Sequence, residues 1–307
     1  MLIAAVLALG AILPVIEGIK KLAAQGWSWA PVGLIAAGIC VGAAFVWRQR
    51  HLTQPLVDVS MFADRRFSAS IWINVVGAFA ILGNAIMMTQ YLQSVLGYSP
   101  LSAALWSLLP AVFIGAAAPA AATGSVRFGR PPTIIVGLLV AAGGFIILAS
   151  LTTVHSLAVV LVGATLLACG TVAVSAVITD YVVGVAPVER AGATSSLLET
   201  SSEFGGAFGI AILGSVLNAV YRLSFDDAAF ADTPAARSLS GAIATAHGLG
   251  AEQAQHLMAV ARSSFVDGLS AAAWVGAAVL LATAALAAWA LRGPSEHAVT
   301  QEHAAAE

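Results

Sequence analysis

The chain has 307 residues and a formal charge of −2, and 60% of its residues are hydrophobic against only 9% charged. Mean hydropathy is +0.93. A soluble domain carries roughly 25% charged residues to cover its surface, so this composition excludes a water-soluble globular protein. The near-neutral balance also leaves no basic patch for a nucleic acid.

Spanning a bilayer takes about 20 mainly apolar residues in a helix. Eight stretches qualify, roughly 2–19, 30–47, 67–92, 101–123, 132–150, 156–184, 191–220 and 268–291. Within hydrocarbon the backbone must bond to itself, which selects helices for such single-segment runs. The expected fold is therefore all-α and transmembrane, with about eight spanning helices. The first run lacks a basic leader region and reads as a spanning helix. Cys40 and Cys169 lie inside apolar runs with no ligand spacing and are expected to pack as small residues.

Arginines set the expected orientation. Arg48, Arg50, Arg65 and Arg66 lie between the second and third runs, Arg127 and Arg130 between the fourth and fifth. Arg190 precedes the seventh run and Arg292 follows the eighth. All fall on one side if both termini are cytoplasmic, as the positive-inside rule requires. Lys20 and Lys21 fall on the other side and dissent. Glu17 is expected to pair with one of them at the helix surface. A polar connection at 222–266 then faces outward, and Thr233-Pro234 provides a helix start while Gly248-Leu-Gly250 interrupts. Two short surface helices are expected there, the second leading into the last span.

Ionisable groups inside these runs are the candidate functional residues, because each is costly at the bilayer centre. Glu199 and Glu203 occupy the seventh run within Thr194-Ser-Ser-Leu-Leu-Glu-Thr-Ser-Ser-Glu203. Measured from Arg190, the helical rise puts them about 13 and 20 Å deep, on one face at i, i+4. Two carboxylates without a cationic mate cannot both stay charged in a low dielectric. Proton uptake at one of them is expected to follow conformation, and in the charged form the pair suits an organic cation. Protonated, hydrogen-bonded helix contacts are the alternative. Asp180, nearer the end of the sixth run, stands equally as a coupling group or an interfacial cap. Asn84, Met88 and Tyr91 recur at i, i+4 and i+7 on the third run. They make either a wall for a flat lipophilic cation or polar contacts between helices. Gly205-Gly206-Ala-Phe-Gly209 has the spacing for close helix approach.

Three segments resemble a known family. Pro55-Leu-Val-Asp-Val-Ser-Met-Phe-Ala-Asp-Arg-Arg-Phe67 and Tyr91-Leu-Gln-Ser-Val-Leu-Gly-Tyr-Ser-Pro-Leu-Ser-Ala103 resemble, in order, the cytoplasmic segment and outer hairpin of 14-helix drug:proton antiporters of the major facilitator superfamily. The run from Ala191 to Ser215 is similar to the QacA/SmvA-type branch, whose acids occupy the positions of Glu199 and Glu203. That branch exports quaternary ammonium compounds and cationic dyes. The resemblance implies two linker helices at 1–50, a cytoplasmic connection at 51–66, a six-helix C-terminal half-domain at 67–292 and a disordered tail at 293–307. It further implies lipid, protons and lipophilic cations as partners, a missing N-terminal half, and a location in the cell membrane. Gly124-Ser-Val-Arg-Phe-Gly-Arg130 resembles the second-half copy of the family's loop motif, which makes Arg127 and Arg130 candidate braces of a cytoplasmic gate.

An enzyme is the rival in another class. All six histidines (His51, His155, His247, His256, His297, His303) fall in loops, helix ends or the tail, and no metal motif occurs. No catalytic residue, cofactor or metal is expected. A non-transporting fragment or assembly subunit remains the second reading.

Overall fold

Hydrocarbon offers no partner for backbone N–H and C=O groups, and the chain meets that constraint with long helices. The computed structural model describes residues 2–25, 28–51, 62–151, 157–185 and 191–291. In order these form α1 (Leu2–Gln25), α2 (Trp29–Arg50), α3 (Arg65–Gln90), α4 (Pro100–Phe128), α5 (Arg130–Ala149), α6 (Leu157–Val185), α7 (Ala191–Ser224), a short α8 (Leu239–Ala246) and α9 (Ala251–Ala290). Seven of them, α2 to α7 and α9, are long and apolar enough to cross a membrane. The 24-residue α1 packs along α2. The protein is a multi-pass, all-helical membrane protein. Most of the 51–66 segment expected to be a cytoplasmic connection and the whole of the expected tail, with Arg190 and Arg292, lie outside the described residues.

Local chemistry explains where the helices start and stop. The Asp64 carboxylate accepts from the backbone N–H of Arg66 at 2.7 Å and caps α3. Ser99 caps α4 by accepting from Ser102 N–H at 3.2 Å, with Pro100 at the first helical position. A single residue, Gly129, joins α4 to α5 at φ 91°, a left-handed backbone that a side chain would strain. α3 does not end at Gln90 but continues through a wider π-type turn at Tyr91–Val95.

The bundle surface is apolar where water would forbid it. Trp29 (84% exposed), Leu101 (72%) and Val112 (73%) stand on its outside, and Trp106, Trp274 and Trp289 are also exposed. Soluble monomers rarely present such continuous apolar surface. Lipid, or further protein, covers it.

Inside, α3 packs on α7, α5 on α6 and α9, α4 on α6, and α7 on α9, while the α1–α2 hairpin joins the bundle through α1 and α7. Tyr91, Phe145, Tyr221 and Phe265 are its largest fully buried side chains. The closest seam is α3–α7. A Cβ on Gly205 would overlap the carbonyl oxygen of Val75, and one on Gly209 that of Phe79. The expected close approach is what these glycines provide.

The 222–266 connection differs in one respect from two separate surface helices. Thr233 caps the expected site by accepting from Ala235 N–H at 3.3 Å, yet only the single turn Pro234–Ala236 follows. Ser238 then caps α8. After the break at Gly248–Gly250, the second surface helix and the last span are one helix, α9, of 40 residues. At 1.5 Å per residue it runs about 60 Å, twice the hydrocarbon thickness.

Replacing Gly205 with Leu forces α7 off α3 and is expected to lower stability by about 1–3 kcal/mol. Gly143→Ala, at a helical glycine with nothing within 4 Å of its added Cβ, is the control and loses none. Thermal denaturation of the detergent-solubilised variants, followed by tryptophan fluorescence, measures both.

Candidate functional site

The glycine seam determines which face of α7 is covered. Thr194, Leu198, Ser201, Gly205 and Gly209 are buried, whereas Ser196, Glu199, Glu203 and Ile210 are exposed. These two sets alternate at helical spacing, so the acids share one stripe and the packing residues lie opposite. Glu199 and Glu203 are the ninth and thirteenth residues of the 34-residue α7, about 12 and 18 Å along its axis. Among the described residues neither carboxylate is in an ion pair. Both acids therefore sit in the first half of α7, on an open face and, among the described residues, without a cationic mate.

Asn74 on α3 holds this stripe in place, and sequence reading had not singled it out. Its side-chain amide Nδ2 is within hydrogen-bond distance of the Leu198 carbonyl (2.9 Å), Ser201 Oγ (2.8 Å) and Ser202 Oγ (2.9 Å). Asn74 and Ser201 are buried. The clamp grips α7 on the turn between the two acids and fixes its rotation as well as its distance. The signal was visible as one amide inside Ile-Trp-Ile-Asn74-Val-Val, but an amide in an apolar run does not reveal its partner.

The structure does not bring the other candidates together with the acids. Asn84 is buried, Met88 half-buried, and Tyr91 has no exposed surface, so this row of α3 is largely covered by the chain's own helices. Asp180 is exposed near the end of α6, beside Tyr181. Arg130 stacks its guanidinium 5.6 Å from the Tyr181 ring centroid and so links the start of α5 to that end of α6. Arg127, in the last turn of α4, lies over the Phe128 ring at 5.4 Å. Both arginines are exposed, at the end of the bundle where Gly129 joins α4 to α5. Glu17 pairs with Lys21 at 3.4 Å, an i, i+4 surface pair. Cys40 and Cys169 are free thiols. Among the described residues no group of His, Cys, Asp and Glu could hold a metal ion.

A sequence model of the Major Facilitator Superfamily matches residues 1–210. The multidrug efflux pump LfrA of Mycolicibacterium smegmatis is 33% identical over 94% of this chain and 58% of its own length. The tetracenomycin C resistance and export protein of Streptomyces glaucescens is 29% identical over 97% of this chain and 57% of its own. Multidrug resistance protein Stp of Mycobacterium tuberculosis is 29% identical over 92% and 55%. The chain thus spans a little over half the length of these curated relatives. Among solved structures, a bacterial homolog to the human lysosomal transporter Spinster, inward-facing and occupied, superposes with a TM-score of 0.58. It is 17% identical, and the match covers 93% of this chain and 69% of that one, a likeness of fold.

Asn74→Leu keeps the side-chain size and removes the clamp. It is expected to cost about 1 kcal/mol, the scale of interhelical hydrogen bonds in membranes. Thr89→Val, which removes a hydroxyl bonded only to Ala85 O in its own helix, leaves stability unchanged. Chemical denaturation of both variants in the same detergent makes the comparison.

Proposed function

The chain belongs to the major facilitator superfamily, and on that premise we propose that it is the C-terminal portion of a proton-coupled drug exporter. The observation that carries this reading is the open acidic stripe on α7. A carboxylate at mid-bilayer is too costly to face hydrocarbon. The face bearing Glu199 and Glu203 must therefore line an aqueous cavity or meet further protein. Transporters of this architecture place substrate near the membrane midplane, between two repeats that rock about it. In this reading the missing partner is an N-terminal six-helix half, and α1–α2 are the two linker helices of a 14-helix exporter of the QacA/SmvA type. The resistance and efflux relatives support the same class.

The proposed cycle uses the two acids alternately for cation and proton. With the stripe open to the cytoplasmic side, charged Glu199 and Glu203 hold a lipophilic cation by charge. Asn84, Met88 and Tyr91, further along α3, line the path the cation takes beyond the acids in this reading. Protons arriving from outside neutralise the acids and release the cation, then leave to the cytoplasm. Asp180 is a further proton site in this scheme, and Arg127 and Arg130 brace the cytoplasmic gate. Both termini are cytoplasmic in this arrangement. The span of little over half of each relative favours a second reading, a fragment or assembly subunit that does not transport.

Membrane vesicles containing this chain together with the preceding half, loaded by a proton gradient, provide the test. Glu199→Gln and Glu203→Gln are each expected to cut proton-driven uptake of a cationic dye by at least about tenfold, the effect of roughly 1.4 kcal/mol. Full transport by both variants would remove the pair from coupling. Absence of transport by the unaltered assembly, at normal expression, would favour the subunit reading.

A further inference from the structure

The Asn74 amide faces more acceptors than it can satisfy at once. Its Nδ2 carries two hydrogens, yet three oxygens of α7 lie close to it, the Leu198 carbonyl at 2.9 Å, Ser201 Oγ at 2.8 Å and Ser202 Oγ at 2.9 Å. The three are unequal. The Leu198 carbonyl also accepts from the Ser201 hydroxyl at 2.8 Å, besides the backbone N–H of its own helix ladder. The Ser202 hydroxyl accepts from Asn74 and, among the described residues, donates its own hydrogen to no partner. One acceptor is crowded and another has a hydrogen to give, so the second amide hydrogen can pass between them.

Ser202 stands at the margin of the seam. Ser201 and Gly205 are buried, Glu199 and Glu203 are exposed, and Ser202 itself is half-buried. Side chains on a helix lean toward its N-terminus, so position 202 overlies the turn that carries Glu199, three residues before. Two neighbouring hydroxyls show where such a group turns by default. Ser196 donates back to the Gly192 carbonyl at 2.9 Å, and Thr200 to that of Ser196 at 2.7 Å, each four residues earlier. The carbonyl four residues before Ser202 is that of Leu198, which Asn74 already holds. Turned that way, Ser202 competes with Asn74. Turned to a charged Glu199, it leaves that carbonyl alone and becomes a better acceptor for the amide.

Among the described residues, the helices packed on α7 bring few other charges to this level. α3 carries only Arg65 and Arg66, about two turns below Asn74, and α6 only Asp180. On α1, Lys20 lies with Ile210 and Asn218 at a cleft beside the last turns of α7, and Glu17 pairs with Lys21. The ionisable residues of α9 all precede Gly268. That glycine packs on the Leu217 backbone, about 27 Å beyond Glu199 at 1.5 Å per residue. Glu203 follows Ser202 directly, and adjacent residues on a helix do not face each other. Glu199 is thus the carboxylate that Ser202 can serve.

We propose that Asn74 is a positioning residue that couples the charge on Glu199 to the α3–α7 seam through Ser202. With Glu199 charged, the Ser202 hydroxyl donates to the carboxylate and the Asn74 amide donates to Ser202. Each bond in that chain strengthens the next. With Glu199 protonated, Ser202 turns back to the Leu198 carbonyl, displaces Asn74 from it and loosens the clamp. Proton uptake on the open face thereby eases α7 on α3, although Asn74 touches neither the proton nor a substrate. The use of this device in transport rests on the exporter reading above, whereas the coupling is a property of this chain alone.

The test is a double-mutant cycle on the full chain in detergent at alkaline pH, read by chemical denaturation. With Glu199 present, Asn74→Leu is expected to raise the unfolded-to-folded ratio about fivefold, the scale of an interhelical hydrogen bond. In the Glu199→Gln background the same substitution is expected to raise it at most about twofold. A Glu203→Gln background keeps the larger effect, and a Ser202→Ala background makes the two Glu199 states equal. Ser202→Ala and Glu199→Gln are non-additive in the same sense, which decides the matter if Asn74→Leu fails to fold. Equal effects of Asn74→Leu with Glu199 and with Glu199→Gln overturn the proposal and leave a clamp that only holds two helices together. In vesicles that also contain the preceding half, Asn74→Leu is expected to lower the maximal rate of dye uptake at least about fivefold. The dye concentration for half-maximal uptake stays within about twofold. An unchanged maximal rate overturns the role in transport. An unaltered assembly that does not transport removes the exporter reading, and the cycle in detergent still decides the coupling.

Discussion

With no Cβ at Gly205 and Gly209, α7 lies against the backbone of α3, and Asn74 reaches across the same seam to Leu198, Ser201 and Ser202. Close approach gives van der Waals contact, the main attraction left between helices when lipid removes the hydrophobic drive. The amide adds direction, because its donors find acceptors only at one rotation of α7. Rotating α7 by half a turn would bury Glu199 and Glu203 against α3 and put the glycines on the open face. The orientation of the acids thus follows from residues that carry no charge.

The same helix serves two electrostatic environments along its length. Its first half presents carboxylates on an open face, and its last turns join Lys20 and Arg237 around a cleft. Tyr221 marks the change, buried where the Pro234–Ala236 turn closes over α7. The two charges are thus separated along one helix, carboxylates in its first half and cations in its last turns.

The arginine-bearing end is organised by aromatic rings. Arg130 stacks on Tyr181, Arg127 on Phe128 and Arg65 on Trp289, at 5.6, 5.4 and 4.8 Å from the ring centroids. Cation–π contact lets a guanidinium keep its charge at a membrane boundary while its planar face rests on protein. The one-residue turn at Gly129 joins the helices that carry Arg127 and Arg130.

Composition and hydrophobic run length were enough to read an all-helical membrane protein with spans close to those observed, because the cost of an unpaired backbone in lipid leaves few alternatives. The Gly205–Gly209 approach, the Thr233 cap, the break at Gly248–Gly250 and the Glu17–Lys21 pair were legible as well, since each depends on neighbours within a few residues. Helical spacing also put Glu199 and Glu203 on one face. Which face of each helix is covered could not be read that way. Asn84, Met88 and Tyr91 form a row by spacing, yet only packing against other helices determines that the row is largely buried. Asn74 and the cleft of Lys20, Arg222 and Arg237 join residues far apart in sequence, and no local pattern encodes such a meeting. Periodicity specifies a helix and its faces; the tertiary structure alone assigns each face to protein, lipid or open space, because that choice depends on what the rest of the chain brings against it.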